Sequence, residues 1–149
     1  NRLLDHELAW IALRDLDPAH VQALAAPDAM SIPARSDEDG VARPEQGGPV
    51  FSLDADGALH MRYTARTRSI AWKDDAATQA AVAALAAVLE APLPWILRTT
   101  LQAGMGVVAH NVLHDRRAFD DDPASPRLLY RARFLDRCSI TVEAPWRTG

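Results

Sequence analysis

The chain has 149 residues, enough for one domain with a real hydrophobic core, and its 48% apolar and 24% charged residues are ordinary for a globular protein. A formal net charge of −4 argues against a nucleic-acid partner, which calls for a basic surface. A lone cysteine, Cys138, excludes an internal disulfide and a thiolate metal cluster, and fits a reducing cytoplasm.

Residues 3–14 read as a helix, because Leu4, Leu8, Ile11 and Ala12 recur at near-helical spacing, Asp5 is a suitable N-cap and Glu7 sits in the first turn. Asp17-Pro18 restarts a second helix through Val21 and Leu24, stopping before Pro27. Residues 31–48 have mixed charge, several glycines and prolines and little periodicity, and are expected to be a long loop. A hairpin follows, with strands 50–53 and 59–63 around the turn Asp54-Ala-Asp-Gly57. The Asp54, Asp56 and Gly57 cluster superficially resembles a calcium loop, but it lacks the full spacing and the terminal glutamate, so the turn reading stands.

Asp74 or Asp75 caps a third helix running to about Glu90, with Val82, Leu85 and Leu89 as its buried stripe and Pro92 and Pro94 ending it. Its alanine-rich stretch 80–89 is too short to span a bilayer, and no signal peptide is visible, so no membrane partner is expected. Beyond it the chain reads as β: residues 95–101, 106–113 and 128–135 are strand candidates, with a further short one at 139–142. The order predicts antiparallel strands with helices packed on one side, an α+β or mainly β chain. Lys73 is the only lysine among 16 basic residues, a bias that, with the abundant alanine, suits a GC-rich bacterial genome.

The chemistry-bearing residues lie late in the chain. His114 ends an apolar, strand-like run, and Arg127 opens a second run thirteen residues later. Arg127 and Arg131 are four apart, so on a strand they share a face, as does Arg133. Buried, that face needs anions, and a dicarboxylate could occupy one arginine through a bidentate fork. Solvated, its arginines would instead pair with Asp120, Asp121 or Asp122.

The stretch from Gly106 to Arg137 resembles the C-terminal part of the taurine dioxygenase/TfdA-like family. His114, Arg116 and Phe119 match its His-x-Arg-x-x-Phe pattern, and Arg127-Leu-Leu-Tyr-Arg131 matches the arginine-bounded strand that follows. Leu3 to Trp10 is similar to a helix after the family's first iron-binding segment, and Leu59 to Tyr63 with Arg66 and Arg68 to its mid-domain strand and loop. The resemblance implies a partial double-stranded β-helix (jelly roll) with flanking helices, Fe(II) as metal and 2-oxoglutarate as cosubstrate. It implies that His114 is the distal iron ligand, that Arg127 binds the distal carboxylate of 2-oxoglutarate, and that Arg131 lies in or near the substrate pocket.

One part of the family pattern is absent. Its other two ligands come from His-x-Asp or His-x-Glu, yet the residues two beyond His6, His20, His60, His110 and His114 are Leu8, Gln22, Arg62, Val112 and Arg116. His110 is a poor substitute, because same-face strand neighbours lie about 6–7 Å apart. The chain also begins at Asn1 without methionine. The expectation is a single domain, residues 1–149, that forms the C-terminal part of a small-molecule dioxygenase, inactive or impaired alone and prone to form homo-oligomers through uncovered edges. The alternative is a non-catalytic jelly-roll remnant that binds a small anion or serves as an interaction module.

Overall fold

The structure is a computed structural model that describes residues 1–36, 42–64, 70–110, 112–115, 122–124, 128–132 and 134. In chain order the elements are β1 (Arg2–Leu4), α1 (His6–Leu16), α2 (Pro18–Leu24), β2 (Met30–Ile32), β3 (Arg35–Ser36), β4 (Ala42–Arg43) and β5 (Gln46–Gly48). There follow β6 (Phe51–Leu53), β7 (Leu59–Met61), β8 (Ala71–Trp72), α3 (Ala76–Glu90), β9 (Leu97–Arg98) and β10 (Leu113–Asp115). The described strands form small antiparallel sheets, ordered β10-β1-β9, β5-β2-β8, β3-β4 and β6-β7.

Each helix starts at an aspartate whose carboxylate takes a backbone N–H left unpaired at the first turn. Asp5 accepts from Glu7 at 2.7 Å, Asp17 from Ala19 at 2.8 Å, and Asp75 from Thr78 at 2.7 Å. Pro18 fits the first turn of α2, where its missing N–H costs nothing. The start of α1 is a correction: Leu3 and Leu4 belong to β1, and the helix begins only after Asp5. Its buried face is also rotated from the expected one, comprising His6, Ala9 and Leu13, while Ile11 is exposed. The buried His6 ring uses Nε2–H to donate to the Leu59 carbonyl at 2.8 Å, which ties α1 to the hairpin.

Leu13, Leu24, Met30, Val50, Phe51, Met61, Ala81, Leu85 and Val88 form the core, so all three helices and the β6-β7 hairpin share one apolar centre. The buried face of α3 is Thr78, Ala81, Leu85 and Val88, with Val82 and Leu89 partly covered beside it. Alanine, with high helix propensity, carries the rest of α3. The hairpin register pairs Phe51 with Met61 and Leu53 with Leu59. Its turn is built by Asp54, whose Oδ1 accepts from the N–H groups of Asp56 at 3.0 Å and Ala58 at 2.9 Å, and by Gly57 at φ 80°. The carboxylate is committed to its own backbone, as the turn reading requires.

The expected loop 31–48 instead contains the end of β2 together with β3, β4 and β5. β2 is held between β5 and β8, Met30 pairing with Gly48 on one side and with Trp72 on the other, while β3 pairs with β4. Of the expected strands downstream, 95–101 shrinks to β9, and in place of 106–113 the strand is β10, which begins only at Leu113. Residues 128–132 and 134 carry no described strand, and Leu128, Leu129, Tyr130 and Phe134 are exposed. An apolar run becomes a strand only when a neighbour takes its N–H and C=O groups. The expected strand at 139–142 lies outside the described residues, as does Cys138. No helix among the described residues is long and apolar enough to cross a membrane.

Asp75 carries a pH prediction. The Thr78 N–H holds its carboxyl below the usual range, helped by the Thr78 hydroxyl at 3.1 Å and Lys73 at 3.6 Å. A depressed folded-state value stabilises fully above the unfolded aspartate value of about 3.9 and is lost as pH falls through the folded value. Asp75→Asn is therefore expected to unfold at lower urea than the native chain near neutrality, the gap closing in acid. A gap that does not change with pH would count against the charge having this role.

Candidate functional site

His114 owes its position to β1. Antiparallel pairing sets Leu4 opposite Leu113, Leu3 opposite His114 and Arg2 opposite Asp115, while β9 pairs along the other edge of β1. Strand alternation gives Leu113 to the core, against which it packs, and His114 to the opposite face, where it is exposed.

The ring is not loose. Its Nδ1 lies 3.2 Å from the Val112 carbonyl oxygen, and a carbonyl only accepts, so Nδ1 carries the proton in this bond. Nε2 is then the ring nitrogen left to act as a ligand, on a side chain that is exposed. A ring oriented through one nitrogen and ligating through the other is the usual design of a metal-bound histidine.

Asp115 is clamped. Arg2 donates to it from its backbone N–H at 3.0 Å and from its guanidinium Nε, and the same guanidinium reaches Glu90 at 3.6 Å. Through its side-chain hydrogen bond above all, Arg2 holds the Asp115 carboxyl below the usual range, and Asp115 raises Arg2 in return. One arginine thus joins β1, β10 and the end of α3 beside His114. Sequence reasoning missed this pair, since nothing local links positions 113 residues apart. Tyr63 is pushed up by burial first and the charge of Glu90 second, so it stays a neutral phenol.

The other expected site residues are not gathered around His114 by the described residues. Arg131 is exposed and lies in no strand, so the shared strand face expected for it is not observed. Arg127 and Arg133, like Arg116, Phe119, Asp120 and Asp121, lie outside the described residues. Among the described residues no three His, Cys, Asp or Glu side chains come together as a metal-binding group. His114 fits one ligand position, and the described residues do not hold an iron ion by themselves.

An open depression of about 240 Å³ lies elsewhere, lined by Asp28, Ser31, Gly47, Trp72 and Lys73 among others. The Lys73 ammonium is already held by Asp28 at 2.9 Å and Asp75 at 3.6 Å, so it offers no free charge to a ligand. Neither His114 nor Arg131 lines it.

The family model described as taurine catabolism dioxygenase TauD, TfdA family matches residues 1–133, a span that takes in His114, Arg127 and Arg131. Members of that family depend on Fe(II) and 2-oxoglutarate and act on small molecules. No curated protein and no solved structure matches the chain. With nearly its whole length matched, the chain belongs to the TauD/TfdA family of dioxygenases.

Proposed function

We propose that the chain is the C-terminal, cosubstrate-binding part of an Fe(II)- and 2-oxoglutarate-dependent dioxygenase that hydroxylates a small molecule. The observation that carries this reading is the His114 ring, oriented through Nδ1 on an exposed strand face so that Nε2 is the nitrogen left to ligate. In this reading His114 is the distal iron ligand, Arg127 grips the distal carboxylate of 2-oxoglutarate, and Arg131 contacts substrate. The three-stranded sheet β10-β1-β9 would be part of a jelly roll forming a single domain. Bound iron and keto acid would supply the oxidising chemistry, and the chain's own residues bind and orient. Arg127 suits its role because a planar guanidinium matches a carboxylate through two parallel charge-assisted hydrogen bonds.

With one ligand of the family's three, the isolated chain is expected to turn over slowly or not at all. That same shortfall favours a second reading, a non-catalytic remnant that keeps only an anion site at Arg127 and Arg131. Thermal unfolding with 2-oxoglutarate, with and without Mn(II), separates the two, because a ligand that binds only the folded state raises its stability. The oxygenase reading expects stabilisation by 2-oxoglutarate that Mn(II) increases and Arg127→Ala abolishes. The remnant expects stabilisation by dicarboxylates with no metal increment. Full stabilisation in Arg127→Ala would remove that residue from both.

A further inference from the structure

Arg62 directly follows β7, and its backbone N–H donates to the Val50 carbonyl at 2.8 Å, which sets where its side chain begins. The guanidinium reaches back over β5. Its Nη2 donates to the Gln46 carbonyl, and its Nη1 lies where a Cβ on Gly48 would come within 3.4 Å. Gly48 has φ of 151°, a backbone that disfavours any side chain, and the guanidinium lies in van der Waals range of where one would start.

The charge on this group is poorly answered. Nε is enclosed and has no hydrogen-bond acceptor among the described residues. None of the described ion pairs involves Arg62, whereas Arg2 holds Asp115 and Glu90, and Arg14 holds Asp15. A guanidinium does not discharge in a protein, and withdrawing one from water is costly unless an anion replaces the lost hydration. A single neutral carbonyl does that only in part.

We propose that Arg62 anchors an anion-binding site that takes the carboxylate of a small organic molecule. The planar carboxylate is the partner that a partly covered guanidinium edge binds best, because two N–H groups can serve two oxygens at once. Arg62, Gln46 and Gly48 are residues other than those of the proposed iron and cosubstrate reading.

Proton–nitrogen correlation spectra of the arginine Nε–H groups test this, with Arg62→Lys identifying the Arg62 cross-peak and propionate as the probe. The cross-peak is expected to shift saturably in the native chain, and equally in Arg127→Ala and Arg131→Ala. Loss of a charge-assisted hydrogen bond should weaken propionate binding about tenfold or more in Arg62→Met. A cross-peak unmoved by propionate, or moved only by inorganic phosphate, overturns the proposal, as does unchanged affinity in Arg62→Met. Should that variant not fold, the native titration decides alone. Since 2-oxoglutarate stabilisation is read at Arg127, either reading can fail while the other survives.

Discussion

Leu85→Ala is expected to destabilise the chain by about 2–5 kcal/mol, a large part of the roughly 5–15 kcal/mol that holds a typical domain together. Leu85 is 0% exposed and sits on the face of α3 that packs against α1 and α2. Around it the core combines Leu13 from α1, Leu24 from α2 and the hairpin residues Phe51 and Met61. Truncation removes apolar atoms from water-free surroundings and leaves a void that three helices and a hairpin cannot all close. Urea unfolding should show a lower midpoint with an unchanged slope, since the surface exposed on unfolding hardly changes. Leu53→Ala is the contrast: its residue is 69% exposed on β6, and the change should stay within about 0.5 kcal/mol. Equal effects at the two positions would mean that α3 does not organise the core.

The second large effect is expected at His114, on ligand binding rather than on stability. The side chain is exposed and outside the core, so His114→Ala should leave the unfolding midpoint nearly unchanged. Anaerobic titration with Fe(II) in the presence of 2-oxoglutarate should give a weak visible charge-transfer band with the native chain and none with the variant. The band is expected to be weak because the described residues gather no second and third ligand. Removing a partner that merely orients a metal ligand costs on the order of 10–100-fold in affinity, and removing the ligand itself should cost at least that. Undiminished Fe(II) binding in His114→Ala would sink the assignment of His114.

The two variants report on different levels of the molecule. Leu85 tests the packing that holds α3 against α1 and α2. His114 tests the surface chemistry of a strand whose position depends on β1. Were His114→Ala also to lower stability sharply, the ring would have a packing role that its exposure does not indicate.

The helix caps were legible in the sequence because capping is local: Asp5, Asp17 and Asp75 each bond a backbone N–H two or three residues ahead. The hairpin was legible for the same reason, since Asp54 and Gly57 close the turn within five residues. Residue type and order were also enough to point to the family. The face that α1 buries was not legible. Leu8 and Ile11 are more apolar than His6, yet His6 is buried because the Leu59 carbonyl on β7 receives its Nε2–H.

What only the tertiary structure decided is pairing between distant segments. Leu3 and Leu4 fit a helix by periodicity, and they became a strand because β10 and β9 pair on either side of them. Residues 128–132 fit a strand by composition and carry none, because strand formation needs a partner and not only a pattern. The same pairing set His114 opposite Leu3 on an exposed face and closed Arg2 onto Asp115. A sequence specifies which residues can do chemistry, while register and burial specify which of them meet, because hydrogen bonding between strands is satisfied across space and not along the chain.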